Sequence, residues 1–188
     1  MTIKRVADIV LSFMFLPIVI MISFFVAILI KISSEGDVLY WSKRVGKENN
    51  IFKMPKFCSM LINTPSVASH LLDKPDSYLS PIGSFLRRTS LDELPQLFSV
   101  LKGDMSLVGP RPALFNQDDL VVLRTKYGVD KLMPGITGWA QVNGRDELSI
   151  TDKVVLDVEY LNNQTFWLDM KILWMTIIRV VKNDGVHH

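Results

Sequence analysis

Two acids stand side by side in Arg87-Arg88-Thr89-Ser90-Leu91-Asp92-Glu93-Leu94-Pro95-Gln96. One carboxylate can act as a nucleophile while its neighbour holds a hard divalent cation. Ser90 and Glu93 have the spacing of a capping box, whereas Pro95 fits better with a helix that begins at Asp92 or later. Either start places both acids at the N-terminal end of a helix running to about Leu101, where free N–H groups and the helix dipole favour anions. An isolated Asp-Glu pair is usually only a solvated helix start, so its neighbours decide its meaning.

Arg111 lies between two prolines in Gly103-Asp104-Met105-Ser106-Leu107-Val108-Gly109-Pro110-Arg111-Pro112. The prolines lock the backbone, Gly109 permits a close approach, and a rigid guanidinium suits a phosphate. In Pro134-Gly135-Ile136-Thr137-Gly138-Trp139-Ala140-Gln141-Val142-Asn143-Gly144-Arg145, residues Gly138, Gly144 and Arg145 could meet a diphosphate, although the spacing is not that of a P-loop. Phe52-Lys53-Met54-Pro55-Lys56-Phe57 interleaves Lys53 and Lys56 with apolar residues, which suits anionic headgroups or a lipid phosphate. Singly, each stretch reads equally well as an ordinary turn or edge. Together they indicate a phosphate-bearing substrate handled at a membrane surface.

The elements that position these groups must come from 188 residues, about one domain. A net charge of +2 gives no argument for nucleic acid. Cys58 is the single cysteine, which excludes an internal disulfide and a cysteine-based metal cluster. His187 and His188 resemble the start of an expression tag and are set aside. The mean hydropathy of +0.25 is high for a soluble chain, and the excess is local. Ile9 to Ile30 holds 22 residues without a charge. As a helix it would reach about 33 Å, enough for a hydrocarbon core of about 30 Å. Basic residues flank both ends (Lys4 and Arg5, then Lys31, Lys43, Arg44 and Lys47), and Pro17 lies near the middle. A hairpin that enters and leaves on the cytoplasmic face satisfies both facts, and so does a kinked span. Asp8 would then sit near the interface. Val38–Trp41 and Ile51–Phe57 read as short strands, with Pro55 confining the second to an edge, and Asn63–Ser69 reads as a loop. Phe166–Lys182 has helical periodicity, with Asp169, Lys171 and Arg179 opposite an apolar stripe that suits either a core or a membrane interface.

The stretches quoted above, preceded by Lys4-Arg5-x-x-Asp8, follow one another in an order that resembles the bacterial sugar transferases, the monotopic phosphoglycosyl transferases. The resemblance covers nearly the whole chain, and it is closest to small members that consist of the catalytic domain alone. It implies an α+β, mostly α fold. Residues 1–31 would form a re-entrant membrane helix-hairpin broken near Pro17. Residues 32–188 would form a compact catalytic domain on the cytoplasmic face of the bacterial inner membrane, with amphipathic interfacial helices and a little strand. The implied reaction moves a sugar 1-phosphate from a UDP-sugar, with an N-acetylated amino sugar favoured, to polyprenyl phosphate and releases UMP. Asp92 would be the nucleophile and Glu93 the Mg²⁺ ligand, with Arg88, Arg111 and Arg145 near the phosphates. Lys4, Arg5, Pro17, Lys53 and Lys56 would serve the membrane and lipid. The partners implied are the UDP-sugar, polyprenyl phosphate, membrane lipids and a possible second copy in a homodimer. One departure is Cys58, where the family commonly has Arg; a thiol cannot clamp a phosphate. Two rivals are a glycosyltransferase that releases UDP, for which no convincing Asp-x-Asp motif is found, and a non-catalytic membrane-anchored assembly subunit.

Overall fold

The computed structural model describes residues 3–61, 64, 75–144 and 148–182. Arg145, the C-terminal His pair and, Thr64 apart, the expected 63–69 loop lie outside the described residues. The chain is mostly helical with two small sheets, and its longest element is helix α1, Ile3–Ser33. Pro17 lies inside α1, which is helical on both sides of it with no intervening turn segment. The hydroxyls of Ser33 and Ser34 donate to the Ile30 carbonyl and close the last turn. Among the described residues α1 is the one helix long and apolar enough to cross a membrane.

Both ends of α1 are pinned to the rest of the chain. At the start, Lys4 pairs with Asp169 at 2.7 Å. Arg5 donates to the carbonyls of Val100 and Leu101 at 2.5 and 2.9 Å. Asp8 is buried within the protein, and accepts from Ser106 Oγ and Leu107 N, both at 3.1 Å. At the far end, Val26 and Ile30 pack against Phe57 and Leu86. Between these anchors Phe13, Met14, Met21, Phe24 and Phe25 are exposed, an apolar surface too extended for a soluble monomer.

Strands β1 (Leu39–Val45) and β2 (Ile51–Phe57) pair antiparallel, with Leu39 opposite Phe57 and Val45 opposite Ile51. Pro55 stays inside β2, opposite Trp41; a two-stranded ribbon has a free side on which its missing N–H does no harm. Short helices α2 (Gly83–Arg88) and α3 (Gln96–Lys102) follow, then β3 (Ser106–Val108) and α4 (Asp118–Lys126). Strand β4 (Gly135–Thr137) runs parallel to β3. Its backbone approaches closely: a Cβ on Gly109 would lie 2.2 Å from the Met133 carbonyl oxygen, and one on Gly138 would lie 2.0 Å from that of Gly109. Gly138 therefore serves this contact and is itself buried, not open to a diphosphate. Helices α5 (Trp139–Asn143), α6 (Ile150–Asn163) and α7 (Phe166–Lys182) complete the domain.

Helix α7 has the predicted span but two apolar faces. Ile172 is fully buried with Val108, Val142 and Tyr160, while Trp167, Trp174 and Ile177 are exposed. Asp169, expected on the polar side, is buried instead because Tyr160 donates to it at 2.6 Å and Lys4 neutralises it. The Asp8 contact yields a prediction. Asp8→Ala strands the Ser106 hydroxyl and the Leu107 N–H, which costs about 1–3 kcal/mol. The melting temperature of the detergent-solubilised protein falls accordingly, by about 2–4 °C per kcal/mol; an unchanged value contradicts the anchor.

Candidate active site

Asp92 and Glu93 belong to a 3-10 turn, Leu91–Glu93, that precedes α3. Of the two starts that the sequence allows, the later one that Pro95 favours is observed, and the Ser90–Glu93 capping box does not form. Ser90 adopts a left-handed backbone (φ 56°) and its side chain caps no helix, while α3 begins at Gln96, directly after Pro95. The reason lies in the Glu93 carboxylate, which is committed elsewhere. Lys56 Nζ approaches Glu93 Oε1 at 2.9 Å, and Arg111 donates to Oε1 at 2.6 Å and to Oε2 at 3.4 Å. Charge-assisted bonds of this kind outweigh a neutral backbone cap. Lys56 also lies 3.8 Å from Asp92 Oδ2, so one ammonium bridges both acids.

The two carboxyls are pushed in opposite directions. Burial drives the Asp92 carboxyl above the usual carboxylate range; Lys56 opposes this and the Glu93 charge adds to it. Burial also disfavours the Glu93 charge, but Arg111 and Lys56, through charge and hydrogen bonds, hold that carboxyl well below its usual range. Around the pair, Arg44 and Arg124 fix the backbone that carries Arg111. Arg44 donates to the Pro112 carbonyl at 3.1 Å, and Arg124 donates to the Arg111 carbonyl at 2.7 Å while pairing with the buried Asp157 at 2.7 Å. Burial, and next the Arg111 charge, lower the Arg44 guanidinium to about 10, so it stays charged at neutral pH.

The residues singled out from sequence fall in different places. Asp92, Glu93, Arg111 and Lys56 come together. Lys53 is exposed on β2, away from the acids that Lys56 bridges. Arg88 is exposed at the end of α2, whereas its neighbour Arg87 is half-buried, donates to Ser59 Oγ at 3.2 Å, and acts electrostatically on Asp92. Lys4 and Arg5 tie α1 to the domain. Cys58 is half-buried beside the Phe57–Leu86 cluster, and burial raises its thiol pKa. Sequence reasoning missed Arg44, Arg87 and Arg124; only their charge marked them, and charge alone does not tell a surface arginine from a buried clamp.

Beside the acid pair opens a cavity of about 210 Å³. Glu93 and Arg111 line it together with Phe15, Val19 and Leu97, so the membrane-length helix forms part of its wall. Among the described residues no cluster of three or more His, Cys, Asp or Glu side chains could cage a metal. Mg²⁺ needs no such cage, since it is held by one or two carboxylates with the remaining ligands from phosphate and water. The Asp92–Glu93 pair fits that donor set, provided that Lys56 or Arg111 gives up its place on Glu93.

The opposed shifts predict opposite effects on stability. A raised folded-state pKa means that ionising Asp92 costs stability as pH rises through it; a lowered one means that Glu93 contributes stability that is lost as pH falls through it. At pH 7, Asp92→Asn raises the melting temperature and Glu93→Gln lowers it, and the gap narrows below the ordinary carboxylate range. Equal shifts of one sign in thermal scans from pH 7 to pH 4 contradict this assignment.

The family model described as bacterial sugar transferase matches residues 1–183. The undecaprenyl-phosphate glucose phosphotransferase of Komagataeibacter xylinus is 40% identical over 194 residues, covering 95% of this chain and 36% of that protein. An uncharacterized sugar transferase of Bacillus subtilis strain 168 is 37% identical, covering 99% of this chain and 91% of its own length. The UDP-N-acetylgalactosamine-undecaprenyl-phosphate N-acetylgalactosaminephosphotransferase of Aeromonas hydrophila is 36% identical, covering 97% of this chain and 44% of its own. The chain thus spans less than half the length of the Komagataeibacter and Aeromonas proteins. With a match of this extent, and with Glu93 and Arg111 of the matched stretches paired at one cavity, the chain belongs to the bacterial sugar transferase family.

Proposed function

We propose that the protein transfers a sugar 1-phosphate from a UDP-sugar to a polyprenyl phosphate and releases UMP. The observation that carries this reading is the Asp92–Glu93 pair, bridged by Lys56, with Glu93 and the Arg111 that clamps it lining a cavity walled in part by the membrane-length helix. Asp92 is the nucleophile. A carboxylate oxygen forms a bond to the β-phosphorus of the donor, the bond from that phosphorus to the bridging oxygen breaks, and UMP leaves with the electron pair. The resulting aspartyl-phosphosugar passes its phosphosugar to the lipid phosphate. Lys56, Arg87 and Arg111 offset the charge of the diphosphate during the first step. Glu93 is the residue that would hold Mg²⁺, which would supply Lewis-acid stabilisation of the phosphoryl oxygens when bound. Arg145 retains its proposed place near the phosphates, and Arg88, exposed beside Arg87, is proposed to reach the donor from the rim.

We further propose that α1 is re-entrant, bending at Pro17 and returning to the cytoplasmic face of the bacterial inner membrane. In support, Lys4 and Ile30, near opposite ends of α1, contact the same domain, which a span to the far side would separate. The exposed Trp167 and Trp174 of α7 suit an interfacial position. The donor is proposed to be a UDP-linked N-acetylated amino sugar, in keeping with the name of the Aeromonas relative.

Nucleotide release tests the reaction. Purified protein with Mg²⁺, polyprenyl phosphate and a panel of UDP-sugars releases UMP with one class of donor, and Asp92→Asn lowers the rate by about 10³-fold or more. Release of UDP would instead indicate transfer of the sugar alone, and full activity in Asp92→Asn would remove the nucleophile. Single cysteines at positions 3 and 32 label from one side of the membrane; labelling from opposite sides contradicts the re-entrant helix.

A further inference from the structure

Two polar side chains that line the cavity have no role in the proposed donor chemistry and no partner among the described residues. Gln141, on α5, encloses both its amide nitrogen and its amide oxygen without a hydrogen-bond partner. Arg179, on α7, is half-buried at the same cavity and pairs with none of the described residues. Enclosed polar atoms are nearly always satisfied in folded proteins, so an unpaired amide facing a cavity marks a place for a bound group. Arg111 is already engaged by Glu93 in a two-pronged contact. With Arg111 assigned to the donor diphosphate, Arg179 is the cation of this lining left for a second anion.

Much of the remaining lining is apolar, including Phe15 and Val19 of α1 and Val180 of α7. A ligand that satisfies both regions has an anionic head and a hydrocarbon tail, and it enters along the membrane helix. Thr137 and Thr176 share a hydrogen bond of 2.7 Å, which ties β4 to α7 at the cavity wall and holds the helix that carries Arg179.

We propose that this cavity is the acceptor site. Arg179 and Gln141 hold the phosphate of the polyprenyl phosphate, and its first isoprene units lie between α1 and α7. This inference rests on the function proposed above. In the second half of the reaction, a lipid phosphate oxygen forms a bond to the phosphorus carried on Asp92. The bond from that phosphorus to the Asp92 oxygen breaks, and its electron pair restores the carboxylate. Donor and acceptor then use separate cations: Lys56, Arg87 and Arg111 for the first step, Arg179 for the second.

The test uses the full chain in lipid nanodiscs with two readouts: UMP released in a single turnover without acceptor, and the KM for polyprenyl phosphate in steady state. Arg179→Gln raises the acceptor KM about tenfold or more, while single-turnover UMP release and the donor KM stay within about twofold. Arg179→Lys recovers most of the loss. Val180→Trp, at a partly exposed position, narrows the apolar end and also raises the acceptor KM without affecting the donor step. Active wild-type protein in which neither Arg179→Gln nor Val180→Trp changes the acceptor KM overturns the acceptor site and leaves the proposed function standing. Equal loss in donor and acceptor parameters likewise overturns it. Wild-type protein that releases no UMP from any donor overturns the proposed function, and the acceptor site with it.

Discussion

A single carboxylate, that of Glu93, joins three parts of the chain that are far apart in sequence. Lys56 comes from the β1–β2 ribbon, Glu93 from the turn before α3, and Arg111 from the loop after β3. A buried charge is tolerable only when it is paired and hydrogen-bonded. Glu93 meets that condition through two cations, and so each of the three segments is held in place by the other two. Asp92 inherits its position from this junction: it lies next to a fixed neighbour and shares Lys56 with it. Its carboxyl is nevertheless pushed up by burial, the opposite of Glu93. Two adjacent acids thereby acquire different characters, one firmly ionised and held by cations, the other less fully compensated.

The outer arrangement protects this junction. Arg44 and Arg124 bind the carbonyls of Pro112 and Arg111, so the guanidinium that clamps Glu93 projects from a backbone held on both sides. Behind it, the close approach of Gly109 and Gly138 leaves no room for side chains and sets the spacing of β3 and β4. The membrane-length helix is built into the same structure rather than appended to it. Its first turns hold the end of α3 and the start of β3 through Arg5 and Asp8, and its middle lines the cavity beside the acids. The apolar helix of membrane length and the geometry of the site are thus coupled through α1.

Local signals in the sequence carried far. The span of α7, the strand at Ile51–Phe57 and the length of the apolar run follow from periodicity and propensity, whereas the association of the acid pair with Arg111 is what the family resemblance implies. What was not legible depends on partners distant along the chain. The Ser90–Glu93 spacing is that of a cap, but Lys56 and Arg111 take the Glu93 side chain. Asp169 looks like a solvent-facing acid until Lys4 and Tyr160 are placed beside it. Lys53 and Lys56 look alike in sequence, and three residues along a twisted strand separate an exposed lysine from a half-buried one held against two acids. The same applies to Arg87 and Arg88, adjacent in sequence but set apart by the face of a short helix.

The central claim is that the Asp92 carboxylate itself carries the transferring phosphosugar. It is tested most directly by intact-protein and peptide mass spectrometry after mixing the protein with Mg²⁺ and an active UDP-sugar in the absence of polyprenyl phosphate. The account predicts an added mass equal to one sugar phosphate, located on the peptide that contains Asp92, discharged on addition of polyprenyl phosphate and missing from Asp92→Asn. A protein that turns over with full UMP release yet never carries the adduct, or carries it on another residue, would contradict the account.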